Sequence, residues 1–179
     1  MDFKLQFPPS EIKKYANAFT YAKTEREITE RINPLVLQRG YLTMEELQTV
    51  CLWKSERSKS RVANNLAEDV EALTKVFLET ENERLRIGSL LLLNGIKYPT
   101  ASVFLHFFHP DPYPILDIRA LEALGIKKSP AYKFEYWFKY VTFTRQLAKE
   151  NEVDMRTLDK ALWQWSKENG SGKLDALGE

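Results

Sequence analysis

Leu93-Asn94-Gly95-Ile96-Lys97-Tyr98-Pro99-Thr100-Ala101-Ser102-Val103-Phe104-Leu105, followed by Tyr113-Pro114-Ile115-Leu116-Asp117-Ile118-Arg119, is the stretch that decides the fold. It reads as a helix end, a glycine-bearing turn, a buried helix, a proline-rich return and an acidic residue at a helix start. Asn94 to Tyr98 predicts a tight turn. Pro99 opens the next helix as its first residue, where the missing N–H costs nothing. Thr100 to Phe108 is apolar nearly all round and predicts a core helix. His109 to Pro114 holds three prolines and predicts an extended connection. Asp117 then caps a short helix ending at Gly125. Backbone N–H groups on a turn beside a helix N-terminus suit a phosphate.

Helical periodicity extends outward from this stretch in both directions. Apolar residues recur at i, i+3 and i+4, and no segment alternates over strand length. A first helix is expected from a Ser10 cap, with Ile12, Tyr15, Ala16 and Phe19 inward. A second is expected over 24–38, with Ile28, Ile32, Leu35 and Val36 inward, a kink or a split at Pro34 and an end at Gly40. Thr43 with Glu46 forms a capping box that opens a helix through Trp53. Further helices are expected around Val70, Leu73, Val76 and Phe77, and over 81–94 with Leu85, Ile87, Leu90 and Leu91 buried. An aromatic-rich helix follows over 130–149. The last begins at Asp154 and buries Leu158, Ala161, Leu162 and Trp165. The tail after Asn169 is expected to fray.

Composition bounds the class. The 179 residues carry a net charge of +1, with 44% apolar and 28% charged residues, which is globular usage rather than disorder. The single cysteine, Cys51, cannot form an internal disulfide, so a reducing, cytoplasmic setting is expected. MDFKLQFPPSE lacks the apolar core of a secretory signal, and Leu90 to Leu93 is too short to span a bilayer. Near-neutral charge leaves nucleic-acid binding to a local basic face.

The motif Gly95 to Ala101, with Asp117 beyond it, resembles the helix-hairpin-helix DNA glycosylase superfamily that includes endonuclease III. Gly95 matches the first hairpin glycine, Thr100-Ala101 the pair that opens the second helix, and Asp117 the catalytic aspartate. The Schiff-base lysine of bifunctional members falls on Pro99, eighteen residues before Asp117, which is the family's interval. The likeness covers about a fifth of the chain, from Leu90 to Gly125. Lys97 replaces the second hairpin glycine. Pro99 cannot form a Schiff base, and no four-cysteine cluster is present. The span between Trp53 and the hairpin is shorter than the family's helical barrel. The resemblance implies an all-α fold of two helical lobes, one from 1–40 and 112–179, the other from 41–111 with the hairpin motif at about 81–108. It implies a monofunctional enzyme acting on DNA, without metal or organic cofactor, in which Asp117 assists cleavage of an N-glycosidic bond. Family members flip the base out of the duplex and stabilise an oxocarbenium-like sugar.

Each candidate residue has a plainer reading beside the functional one. Asp117 is also a good N-cap. Arg119 fits a phosphate contact or a surface pair with Glu122. The segment Trp53 to Arg61 supplies Lys54, Arg57, Lys59 and Arg61 against one acid, a candidate DNA-binding patch with Trp53 stacking on a base. It also fits a solvated turn with Trp53 in the core. Gly95, Lys97 and Thr100 complete the DNA-binding set. Asn64 and Asn65 fit added hydrogen bonds to this patch or plain surface amides. His106, His109 and Asp111 are read as structural rather than as a metal site, and Cys51 as a buried filler. The aromatics between Tyr132 and Phe143 are read as packing. The alternative function is a non-enzymatic module that binds DNA or protein through a retained hairpin.

Overall fold

A computed structural model describes residues 2–20, 23–55 and 59–175. Among these the chain is all-helical, with no strand and one isolated bridge between Lys128 and Asp175. It divides into two compact units, Met1–Thr20 with Pro112–Glu179, and Tyr21–Asp111.

The central unit contains α2 (Lys23–Arg26), α3 (Asn33–Arg39), α4 (Met44–Lys54), α5 (Lys59–Val62), α6 (Ala67–Glu79), α7 (Glu83–Leu91) and α8 (Tyr98–Phe108). Between α2 and α3 the ladder widens to the π form over Glu27–Ile32, and the Asn33 N–H reaches back to the Ile28 carbonyl. Pro34, which has no N–H to give, follows as the second residue of α3. The expected kink is therefore a π turn. The capping box at α4 is formed: Thr43 N–H donates to the Glu46 carboxylate at 2.8 Å, and Glu46 N–H donates to Thr43 Oγ1 at 3.4 Å. Helix α8 buries Ala101, Val103, Phe104, Leu105 and Phe108, as its composition requires. Pro99 is its second residue rather than its first.

Several local expectations are corrected in this unit. The sequence reading ended the terminal lobe at residue 40, whereas the central unit begins at Tyr21. Ile28, Ile32 and Val36 are fully buried, α3 packs on α8, and the Asn33 amide donates to the Phe107 carbonyl. Leu35 is 44% exposed because its neighbour Val36 takes the inward position. Leu85 is likewise exposed. Arg86 turns inward instead, with its guanidinium on the Thr80 carbonyl and near the Glu83 carboxylate. Burial pushes the Cys51 thiol up to about 12, so it is an inert core group.

The terminal unit contains α1 (Ile12–Ala18), α9 (Ile118–Ala123), α10 (Phe134–Glu150) and α11 (Met155–Asn169). Ser10 does not cap α1; it lies inside a 3₁₀ turn, Pro9–Glu11, that leads into it. Helix α10 starts at Phe134, four residues later than expected. Asp154 caps α11, accepting from Thr157 N–H at 2.6 Å. Trp137 and Tyr140 are fully buried, and Tyr113 stacks on Trp137 with ring centroids 6.0 Å apart. The aromatics of α10 are thus mainly packing groups, with Phe138 left 39% exposed.

The tail does not fray at Asn169. Glu122 on α9 accepts from Ser171 N–H at 2.7 Å, Gly172 N–H at 3.0 Å and the hydroxyls of Ser166 and Ser171. Asp175 N–H donates to the Lys127 carbonyl at 2.9 Å, and Ser129 N–H donates to the Asp175 carbonyl at 2.8 Å. Desolvation raises the Glu122 carboxyl, but the hydrogen bonds outweigh it and hold the group below its ordinary value of 4.5. A lowered folded value stabilises the docked tail above the unfolded value, and that stability is lost as pH falls through the folded value. Amide hydrogen exchange at Ser171 and Gly172 should therefore accelerate below pH 4.5 relative to α11, and Glu122→Gln should produce the same loss of protection at neutral pH.

Candidate phosphate-binding cleft

The candidate site lies wholly within the central unit and starts from the turn between α7 and α8. Gly95 sits at φ +82°, and a Cβ there would lie 2.9 Å from Arg61 Cβ and 3.0 Å from Val62 Cγ2. Glycine is required twice over, by conformation and by close approach. The contact presses the turn against α5. Asn65, just beyond α5, holds it there: its Oδ1 accepts from Asn94 N–H at 2.7 Å, and its Nδ2 donates to the Asn94 carbonyl at 3.1 Å. A second bond from Nδ2 to the Val62 carbonyl, at 2.8 Å, fixes the amide. Lys97 has φ −126° and ψ 172°, ordinary extended backbone. Replacement of the family's second glycine by lysine therefore carries no strain and adds a cation.

These constraints open a cleft of 420 Å³ lined by Lys54, Ser55, Arg61, Gly95, Lys97, Pro99 and Thr100. Lys54 ends α4, Arg61 comes from α5 and Lys97 precedes α8. Three cations from three places in the sequence thus meet at one helix N-terminus. No acid is among the described lining residues. No side chain caps α8 at Lys97, and the first-turn N–H of Thr100 has no intrahelical acceptor by position. Thr100 is only 7% exposed while it lines the cleft. Together these groups place basic side chains beside a helix N-terminus, where backbone N–H groups and the helix dipole favour negative charge.

Not every expected DNA-binding residue joins this cleft. Trp53 packs edge-to-face on Phe107 at 5.2 Å and does not line it. Arg57 lies outside the described residues. Arg119 belongs to the terminal unit, where its guanidinium lies 5.4 Å from the Trp163 ring and against Gly172. His109 Nδ1 accepts from Asp111 N–H at 3.0 Å, and His106 makes an edge contact with Phe107. Among the described residues no three His, Cys, Asp or Glu side chains group to hold a metal ion.

Asp117 also belongs to the terminal unit. The segment before it, Tyr113 to Leu116, is extended and buried, so its backbone groups need side-chain partners. Asp159 accepts the Ile115 N–H at 3.2 Å, and the Tyr140 hydroxyl donates to the Ile115 carbonyl at 2.9 Å. Asp117 emerges from this clamp half-buried and caps α9, its Oδ1 accepting from Arg119 N–H at 2.9 Å. The carboxylate acts on its surroundings: burial first, then the charge of Asp117, raises the Tyr132 phenol above its ordinary value. Asp159 and Asp117 add to the burial that pushes Tyr140 well up.

Sequence reading named Asn65 without finding its partner and did not single out Ser55. Asn65 carries no local signal, because its partner Asn94 is distant in sequence. Ser55 was legible only as a residue of the basic turn. No family model, curated protein or solved structure matches the chain. No described helix is long and apolar enough to cross a membrane.

The turn geometry sets a test. Gly95→Ala forces a Cβ into α5 at positive φ, and we expect about 1–3 kcal/mol of destabilisation in urea unfolding. Asn65→Ala removes the clamp and should cost about 1–2 kcal/mol. Because both changes act on one turn, the double variant should lose less than the sum of the two.

Proposed function

We propose that the central unit binds DNA by seating backbone phosphate in the cleft between α4, α5 and the N-terminus of α8. The observation that carries this reading is the convergence of Lys54, Arg61 and Lys97 on an uncapped helix N-terminus with no acid among the described lining residues. The overall charge of +1 does not oppose it, because the basic groups are concentrated where they act. The likeness of Gly95 to Ala101 to the helix-hairpin-helix motif supports DNA as the polymer.

Phosphate binding by three cations releases condensed counterions. Affinity for duplex DNA should therefore fall about 40-fold between 50 and 200 mM salt, on a slope near −0.9 per phosphate contact. Arg61→Gln or Lys97→Gln should each reduce that slope by about one unit and weaken binding evenly across sequences. Binding that ignores salt, or charge variants that bind like the wild type, would remove DNA from this cleft.

A second reading, monofunctional base excision of the glycosylase type, rests on Asp117. It is favoured by the eighteen-residue interval from Pro99 and by a half-buried carboxylate of which one oxygen serves as the cap. In that chemistry the carboxylate stabilises cationic charge on the sugar, or orients water, while the base departs. Asp117→Asn separates the two roles, because asparagine caps helices as well as aspartate does. If excision is the function, the wild type releases a base from duplexes carrying alkylated, deaminated or oxidised bases, and the variant loses at least about a hundredfold in rate with its fold and DNA binding intact. Equal release by both proteins would leave Asp117 a cap.

A further inference from the structure

We propose that Asn94 is a site of spontaneous covalent modification: its side-chain amide is lost, and the carboxylate left at position 94 weakens the adjoining cleft for phosphate. The conversion is independent of what the cleft binds. Its effect on affinity rests on the reading that the cleft binds DNA.

The chain holds two Asn-Gly pairs, Asn94-Gly95 and Asn169-Gly170. An asparagine before glycine is open to attack by the next backbone nitrogen, because no Cβ shields that nitrogen. At the first pair the Gly95 nitrogen attacks Asn94 Cγ and the bond from Cγ to Nδ2 breaks. Ammonia leaves, carrying the proton that the Gly95 N–H gives up. The five-membered imide then takes up water. Opening at Cγ gives aspartate at position 94. Opening at the main-chain carbonyl gives isoaspartate, whose backbone is longer by a methylene.

The two pairs differ in what holds the attacking nitrogen. At the end of α11 the Gly170 N–H donates to the Ser166 carbonyl at 2.8 Å, and Asn169 Nδ2 donates to the Trp165 carbonyl at 3.0 Å. Nucleophile and leaving group are both tied to the helix there. At the turn before α8, the Gly95 N–H and the Asn94 side chain have no hydrogen-bond partner among the described residues, and Asn94 is exposed. Asn65 engages only the Asn94 backbone N–H and carbonyl, so it restrains the turn and leaves the nucleophile free.

The product lies where charge matters. Neighbouring Cα atoms are about 3.8 Å apart, and Gly95 lines the cleft with Arg61 and Lys97. A carboxylate at 94 therefore sits well within a Debye length of about 8 Å and opposes a bound phosphate. Isoaspartate also lengthens the segment that Asn65 clamps.

The test holds the purified protein in mildly alkaline buffer and samples it over time. Peptide mass spectrometry reads aspartate and isoaspartate at both pairs, and each sample is titrated with duplex DNA. We expect position 94 to convert about tenfold faster than position 169, and faster still in Asn65→Ala, where the turn is released. Converted wild type should bind duplex DNA about threefold more weakly than fresh protein, while Asn94→Ala kept under the same conditions holds its affinity. Conversion at 94 no faster than at 169 in both proteins overturns the site. Full conversion at 94 with unchanged affinity overturns its effect on the cleft. Fresh protein that binds no DNA overturns the DNA reading instead, and the two conversion rates still decide the site.

Discussion

The missing side chain at Gly95 is the constraint on which the candidate site depends. With no Cβ there, the turn between α7 and α8 packs directly on Arg61 and Val62, and that approach brings Arg61 to the same cleft as Lys97. Asn65 then holds the turn in place through both faces of its amide. Any larger residue at 95 pushes α5 and the turn apart and disperses the cations. The lysine at 97, by contrast, sits in backbone that any residue adopts, so the charge is added without strain.

The terminal unit follows a different logic. Its candidate carboxylate is delivered by an extended segment that is buried without a sheet to pair it. Asp159 and Tyr140 therefore serve as surrogate strand partners for Ile115, and their own burial raises the Tyr140 phenol far from its ordinary range. Arg156 stays within 2.7 Å of Asp159, which balances the buried charge. The result is a rigid approach to Asp117 and a short helix, α9, whose Glu122 in turn ties down the tail. Rigidity of this kind suits a residue that must be held in place, whether as a cap or as a catalytic group.

Much of the fold was legible because helical periodicity is a local property. The capping box at Thr43, the caps at Asp117 and Asp154, and the all-apolar α8 were all readable from spacing alone. The misreadings share a cause. Leu35 and Leu85 fit the inward period, yet neighbours took their places: Val36 is fully buried, and Arg86 finds partners on Thr80 and Glu83. The 24–38 segment, read with the terminal lobe, belongs instead to the central unit, where α3 packs on α8. The tail was read as frayed because the three hydrogen bonds it donates to Glu122 go to an acid far away in sequence.

For the candidate site the division is sharper. The sequence by itself determined the residue types: a glycine where φ must be positive, lysines and an arginine beside a turn, a proline and a threonine opening a helix, an aspartate before another. These follow from short-range geometry and from charge counted along the chain. Only the tertiary structure decided which of them meet. It joined Lys54, Arg61, Lys97 and Thr100 in one cleft, turned Trp53 onto Phe107, and set Arg119 beside Trp163 in the other unit. Convergence of this kind depends on close packing between helices distant in sequence, and the pattern along any one of them does not contain it.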